Sequence, residues 1–173
     1  MAKARPSEDE YYLNIAREVA SRATCIRRHF GALIVQNKQI ISTGYAGAPR
    51  DTPNCCDLGK CYRQERKIPS GTHYELCRSV HAEMNAVIHA GRERTIGAKM
   101  YIYGIDLENN NKIIEGRPCL LCKRIIINAG ITEVITQTET GEIKHYKVSD
   151  WIEELNKNPF ADLDAILAAD TQQ

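Results

Sequence analysis

Two short motifs contain the residue types that bind a transition metal. The first is His-Ala-Glu at residues 81–83, and the second is Pro-Cys-Leu-Leu-Cys at residues 118–122. Two thiolates three residues apart at the start of a helix point in the same direction, and an imidazole from another helix adds a third ligand for a tetrahedral zinc ion. Three protein ligands leave the fourth position open, as a catalytic zinc requires. The motifs therefore predict a catalytic zinc ion held by His81, Cys119 and Cys122.

Glu83 is the candidate for the acid–base chemistry of this site. It follows His81 by two residues, so it is not expected to bind the metal itself. Zinc lowers the pKa of a bound water to about 7, and Glu83 is placed to accept the proton that this water loses. The pattern H-x-E followed by P-C-x-x-C is similar to the signature of zinc-dependent deaminases. That resemblance implies attack on a ring carbon bearing an amino group, with Glu83 as the catalytic residue that protonates the ring nitrogen and the departing ammonia.

Two other interpretations of the motifs stay open. Cys119 and Cys122 could be half of a structural zinc site, or they could be ordinary buried thiols. A structural site would suit a non-catalytic module that binds a partner. Glu83 discriminates between these interpretations and a catalytic site, because a structural zinc has no use for an acid beside an open coordination position.

The composition is typical of one globular domain that acts on a small molecule. The chain has 173 residues, 43% of them hydrophobic and 26% charged, and its formal net charge is +1. Proteins that bind the nucleic-acid backbone usually carry a clear basic excess, so we expect a small-molecule substrate and no nucleic acid. Every apolar run is shorter than the roughly 20 residues that cross a bilayer. We expect a single domain over residues 1–173, in the cytoplasm and without a membrane partner.

Helices and strands are predicted to alternate along the chain. Residues 7–10 have the pattern of a capping box, which predicts the start of a helix that continues to about Ala23. A β-hairpin follows, and the later alternation of strands and helices favours an α/β sandwich with a mixed sheet. The other predicted elements are the hairpin strands at 31–35 and 39–44, helices at 81–90 and from Pro118 to the C-cap Gly130, strands at 99–103 and 131–136, and two short helices within 149–170.

Two connections are long for a compact domain. Residues 45–72 are rich in Gly, Pro, Asp and Cys, and loops of this length are usually functional or anchored by some contact. Residues 106–117 form a polar excursion that is expected to fold back as a small hairpin beside the mouth of the active site.

Four segments resemble those of bacterial and phage deoxycytidylate deaminases. They are Thr-Cys-Ile-Arg-Arg at 24–28, Gly-Tyr-Ala-Gly-Ala-Pro at 44–49, Asn-Cys-Cys-Asp at 54–57 and His-Ala-Glu-Met-Asn-Ala at 81–86. The resemblance implies a cytidine-deaminase-like three-layer α/β/α fold, a homo-oligomer, and conversion of dCMP and water into dUMP and ammonia. It also implies dCTP and dTTP as effectors. The same chemistry on another aminated base stays open, namely cytidine, cytosine, a modified pyrimidine nucleotide or adenosine in tRNA.

The resemblance also suggests where the substrate is held. Arg27, just before the first strand, is expected to bind a 5′-phosphate bidentately, which suits the geometry of a guanidinium group. Ala46 is expected to flank the sugar. It occupies the position of an asparagine that contacts the sugar in the family, so recognition of the sugar differs here.

The other cysteines indicate a second metal. Seven cysteines, an odd number, argue against a disulfide framework. Cys25 and Cys55 match two ligands of a structural zinc found in some family members, and His73 and Cys77 are expected to complete it and to anchor residues 45–72. The alternative is that these thiols are reduced and pack as small hydrophobic side chains.

Overall fold

A six-stranded sheet forms the centre of the computed structural model, which describes residues 5–160 together with Leu163 and Leu167. The strands are β1 (Arg28–Gln36), β2 (Gln39–Tyr45), β3 (Lys99–Asp106), β4 (Lys112–Ile114), β5 (Glu133–Gln137) and β6 (Ile143–Lys147). They lie in the order β2-β1-β3-β5-β6, and β4 pairs with β3 outside this order. Strands β3 and β5 are parallel and the other described pairs are antiparallel. The predicted mixed sheet is confirmed.

Helices cover both faces of this sheet. They are α1 (Glu8–Ala20), α2 (Cys55–Leu58), α3 (Tyr62–Glu65), α4 (Ala82–Ala90), α5 (Arg92–Thr95), α6 (Leu120–Asn128) and α7 (Val148–Lys157), with a 3-10 turn at Tyr74–Leu76. On one face, α1 buries Leu13 and Ala16 against Leu33 and Tyr101. On the other face, residues of α4, α6 and α7 form a second core with strand residues that include Ile34. The predicted three-layer α/β/α arrangement is therefore confirmed.

The first helix begins as the capping box predicted. The backbone N–H of Ser7 donates to Glu10 Oε2 at 2.7 Å, and the N–H of Glu10 donates to Ser7 Oγ at 3.2 Å. Two backbone donors that the helix leaves unpaired are satisfied in this way.

Several predicted boundaries differ from the observed ones. Pro118 does not occupy the first position of α6, because Cys119 is the N-cap residue and the helix begins at Leu120. Strand β6 was not predicted, since its alternating polar and apolar residues include two lysines and a histidine on an edge of the sheet. Helix α7 confirms the first of the two helices predicted within residues 149–170. The second lies outside the described residues, apart from Phe160, Leu163 and Leu167.

Both long connections carry structure. Residues 45–72 contain α2 and α3, and the N–H of Cys56 donates to the carbonyl of Thr24 at 3.1 Å. Residues 106–117 fold back as predicted, with β4 paired antiparallel to β3. None of the helices in the described part of the chain combines the length and the apolar character that a bilayer crossing needs.

Gly44 allows α4 to lie directly on strand β2. A Cβ atom at this position would be 2.3 Å from the carbonyl oxygen of Ala82 and 2.3 Å from the backbone nitrogen of Ala86. Those atoms belong to the first turns of α4, and a helix backbone cannot move aside as a flexible side chain can. The close approach therefore sets the position of the helix that follows His81.

We expect Gly44→Ala to push α4 off the sheet and to lower the free energy of unfolding by about 1–3 kcal/mol, the usual effect of overpacking. Chemical denaturation measures this change. The matched control is Thr43→Ala on the same strand, where the side chain is exposed and the expected change is within about 0.5 kcal/mol. Equal denaturation midpoints for the two variants would contradict the close packing of α4 on β2.

Candidate metal centre and active-site pocket

The two motifs meet where α4 and α6 begin. His81 is the N-cap residue of α4 and Cys119 is the N-cap residue of α6. The Nδ1 atom of His81 lies 3.4 Å from the sulfur of Cys119 and 3.3 Å from the sulfur of Cys122. Within the described residues, these three form the one group of His, Cys, Asp or Glu side chains whose ligand atoms all lie within 4.8 Å of each other. One nitrogen and two sulfurs at this spacing fit a zinc ion.

The elements on either side hold these residues in place. The backbone N–H of Gly116 donates to Thr136 Oγ1 of β5 at 2.7 Å, which fixes the chain just before the second motif. Cys122 is fully buried, and Ile126, one turn later on α6, belongs to the core. The cluster is therefore held on one side by the contact of α4 with β2 and on the other by the packing of α6.

The electrostatics of the cluster favour a bound cation. Hydrogen bonds with Cys122 and then with His81 lower the pKa of the Cys119 thiol to about 4. Burial acts to lower the pKa of His81, but its hydrogen bonds with Cys119 and Cys77 outweigh burial and raise the pKa to about 11. A site that keeps a thiolate and stabilises positive charge beside it has the character of a metal site.

Glu83 lies in the first turn of α4 and lines the same pocket as His81 and Cys119. Its side chain is buried, with 7% of the residue exposed. Burial raises the pKa of Glu83, and the neighbouring His81 opposes part of that rise. A carboxyl group with a raised pKa exchanges protons more readily near neutral pH than an ordinary glutamate does.

A pocket of about 140 Å³ opens above the cluster. Its apolar wall includes Phe30, Ala46 and Ala82. The ring of Tyr74 meets the ring of His81 edge-on, with the centroids 5.3 Å apart and an angle of 87° between the planes. The size and flat walls of the pocket suit one planar ring.

Both predicted substrate-binding residues, Arg27 and Ala46, line this pocket. Ala46 is buried, with 6% of the residue exposed. The Nε atom of Arg27 lies 3.1 Å from Glu108 Oε2, and the other oxygen of Glu108 accepts a hydrogen bond from Gln64. Arg27 is thus already ion-paired, and its role toward a phosphate stays a prediction.

The four residues predicted for a second zinc are only partly brought together. Cys25 and Cys77 line the pocket and Cys55 is buried. His73, by contrast, has its Nδ1 atom 3.0 Å from Glu75 Oε1. Within the described residues, no second group of three such ligands lies within 4.8 Å of one another. The second zinc stays a prediction.

Cys61 is a neighbour of these thiols that the motif analysis did not select. It lines the pocket with Cys25 and Cys77 and is buried. Burial raises the pKa of the Cys55 thiol, and the thiols of Cys25, Cys61 and Cys77 raise it further. The sequence signal for Cys61 was its place in the cysteine-rich loop at 45–72, which does not by itself distinguish a ligand from a packing residue.

Arg63 is a second residue that sequence analysis missed. It is buried, donates one hydrogen bond to the carbonyl of Pro69 at 2.6 Å and another to the carbonyl of His73, and lies 5.1 Å from the centre of the Tyr74 ring. These contacts hold residues 69–74 over the pocket. An arginine in a polar loop carries no sequence signal for such a role.

Comparisons with known proteins agree with this geometry. The family model of the cytidine and deoxycytidylate deaminase zinc-binding region matches residues 6–138. The chain is 35% identical over 143 residues to the deoxycytidylate deaminase of Schizosaccharomyces pombe, covering 82% of this chain and 40% of that protein. It is 33% identical over 141 residues to the deoxycytidylate deaminase of Mycobacterium phage D29, covering 79% of this chain and 99% of that protein. The chain thus spans less than half of the fission yeast relative and nearly all of the phage relative.

Solved structures show the same fold. The crystal structure of dCMP deaminase from the cyanophage S-TIM5 in apo form superposes with a TM-score of 0.53 at 22% identity, covering 78% of this chain and 86% of that chain. The cytidine deaminase from Burkholderia pseudomallei gives a TM-score of 0.53 at 17% identity, covering 82% and 93%. Together with the matched family model, the assembled motifs lead to one conclusion: the chain belongs to the cytidine and deoxycytidylate deaminase family.

Proposed function

We propose that this protein catalyses the zinc-dependent hydrolytic deamination of a cytosine nucleotide, with dCMP as the main substrate and dUMP and ammonia as the products. The observation that carries the proposal is the placement of His81, Cys119 and Cys122 around one point, with the buried carboxyl group of Glu83 in the same pocket. A structural zinc site has no need of such a carboxyl group.

The proposed mechanism gives each residue a separate task. His81, Cys119 and Cys122 would hold a zinc ion, which would supply the Lewis acid that lowers the pKa of a water molecule to about 7. Glu83 accepts a proton from the attacking water and donates it to N3 of the cytosine ring while the water oxygen bonds to C4. Glu83 then takes the proton of the new hydroxyl group at C4 and transfers it to the amino nitrogen. The C4–N bond breaks, ammonia departs, and a carbonyl group remains at C4.

The pocket walls are suited to hold the ring in place for this attack. Phe30 and Tyr74 offer flat apolar surfaces, and Ala82 is small enough to lie under the ring. The Nδ2 atom of Asn85 donates to the carbonyl of Tyr45 at 2.8 Å, so α4 is tied to the segment that leads to Ala46. We propose that Ala46 flanks the sugar.

The choice of dCMP is supported by the names of relatives. The proteins from Schizosaccharomyces pombe and Mycobacterium phage D29 are both deoxycytidylate deaminases. The arginines that line the pocket also favour an anionic substrate over a free base or nucleoside.

We also propose a second, structural zinc that uses Cys25, Cys55 and Cys77. For the fourth ligand there are two candidates. His73 follows from its H-x-x-x-C spacing with Cys77, whereas Cys61 is supported by its place beside the other thiols. Metal closure would restrain residues 45–72.

Three further properties belong to the proposal. A single domain over the whole chain and a cytoplasmic location follow from the length and composition, and a homo-oligomer regulated by dCTP and dTTP follows from the family resemblance.

We expect Cys122→Ala to lose the catalytic zinc and all measurable turnover, because two protein ligands hold zinc poorly. Elemental analysis of the purified protein and an ammonia-release assay check both outcomes. Cys56→Ala is the matched control, since Cys56 is exposed and does not line the pocket. Full zinc content and full activity in Cys122→Ala would refute the ligand assignment.

We expect the zinc-loaded protein to release ammonia fastest from dCMP when it is compared with CMP, dCTP, cytidine and cytosine.

Glu83→Gln is expected to keep the zinc and the melting temperature while losing about 10²–10⁴-fold in kcat, the usual contribution of general acid–base catalysis. Glu93→Gln on the exposed face of α5 is the control. If Glu83→Gln keeps the kcat of the parent protein, Glu83 is not the proton carrier. If the parent protein turns over cytidine or cytosine faster than dCMP, the assignment of a nucleotide substrate is wrong.

We expect about two zinc ions per chain. One would have the three protein ligands of a catalytic site, and the other would have the four of a structural site. The count should fall by one in Cys25→Ser and in Cys55→Ser, and limited proteolysis should then cut more readily within residues 45–72. Comparing Cys61→Ser with His73→Ala identifies the fourth ligand. One zinc per chain in a fully loaded preparation would show that these cysteines are packing residues.

A further inference from the structure

Arg117 occupies a distinctive position at the mouth of the pocket. It lines the pocket together with His81 and Cys119, and it also lines an adjoining, more open pocket together with Tyr74 and Cys119. The residue itself is exposed, between the buried residues Gly116 and Pro118. A substrate group that extends from the active site past Tyr74 would therefore meet the Arg117 guanidinium group.

Each of the other arginines of the pocket has at least one polar partner. Arg27 is paired with Glu108 at 3.1 Å. Arg28 is paired with Asp106 at 3.4 Å, and its Nη1 atom donates to Ser70 Oγ at 3.0 Å. These two ion pairs neutralise the positive charge at the start of β1.

Arg63 is occupied in a different way, since it donates to the backbone carbonyls of Pro69 and His73. Its guanidinium group is committed to the loop that covers the pocket, and the residue is 5% exposed. A substrate phosphate would have to displace that loop in order to reach it.

Within the part of the chain that the structure describes, the Arg117 side chain has a ring contact but donates no hydrogen bond. Its Cζ atom lies 5.8 Å from the centre of the Tyr146 ring, a stacking contact that orients the group but leaves its N–H groups available. The nearby carboxylate of Glu115 accepts hydrogen bonds from Lys144, at 3.0 Å, and from Tyr146. Lys144 and Arg117 together outweigh the one negative charge of Glu115. This side of the mouth therefore keeps a positive charge.

We infer that Arg117 is a specificity-determining residue that binds the phosphate group of the nucleotide substrate. The inference rests on the proposed function. The planar guanidinium group, oriented by the Tyr146 ring, presents parallel N–H donors to two phosphate oxygens. In this arrangement Arg27 and Arg28 hold the excursion at residues 106–117 in place, and Arg117 at its end selects nucleotides over nucleosides.

The test compares dCMP with deoxycytidine as substrates of the zinc-loaded protein. We expect Arg117→Ala to lower kcat/KM for dCMP by about 10- to 100-fold, the usual effect of losing a charge-assisted hydrogen bond, mainly through KM. The kcat/KM for deoxycytidine should change by less than about twofold, because deoxycytidine has no phosphate group and loses no contact when Arg117 is replaced. Arg117→Lys should restore part of the preference, and inorganic phosphate should inhibit Arg117→Ala more weakly than the parent.

Arg66→Ala is the matched control, because Arg66 is also exposed and stacks on a tyrosine, with its Cζ atom 5.3 Å from the centre of the Tyr62 ring, but it does not line the pocket. If Arg117→Ala lowers kcat/KM equally for dCMP and deoxycytidine, Arg117 has a packing role and does not bind the phosphate. If Arg117→Ala keeps the preference for dCMP over deoxycytidine and Arg27→Ala loses it, Arg27 and not Arg117 binds the phosphate. If the parent protein deaminates neither substrate, the proposed function itself fails.

Discussion

The close contact between the first turns of α4 and the backbone of β2 is the constraint on which the site depends. Gly44 leaves no side chain between them, and Ala82, Ala86 and Ala90 bury the same face of the helix. Any larger residue in this layer would lift α4 and carry His81 away from Cys119 and Cys122. The spacing of 3.3 and 3.4 Å between the histidine nitrogen and the two sulfurs is therefore a product of backbone packing as much as of the motif residues.

Burial of charge imposes a second requirement on the same region. The carboxyl group of Glu83 and the thiols of Cys119 and Cys122 lie in or near the core, where isolated negative charges are strongly unfavourable. A dication held by the thiols and the imidazole offsets that cost and makes the thiolate forms favourable. The predicted zinc would thus stabilise the fold as well as take part in the chemistry. Both roles require the ligands and Glu83 to lie close together.

Sequence analysis predicted the parts of the molecule that have local signals. The capping box at Ser7 and the alternation of strands and helices follow from residue spacing, because helix and strand geometry act over short ranges. The pairing of residues 81–83 with 118–122 rests instead on the resemblance to the zinc deaminase signature. Sequence analysis did not select Cys61 or Arg63, because the positions of residues within the loop at 45–72 depend on tertiary contacts. Strand β6 was missed for a related reason: an edge strand exposes one face, so its apolar signal is weak.

The excursion at residues 106–117 changes how charge is distributed around the pocket. Glu108, in the turn between β3 and β4, pairs with Arg27, whereas Asp106 at the end of β3 lies opposite Arg28 in the β1–β3 register. The same segment ends at Arg117, which lines the pocket. A chain with a short link between β3 and the second motif would lack Glu108 and its ion pair with Arg27. If Arg117 binds the substrate phosphate as we infer, the added segment also supplies the site for that anionic group.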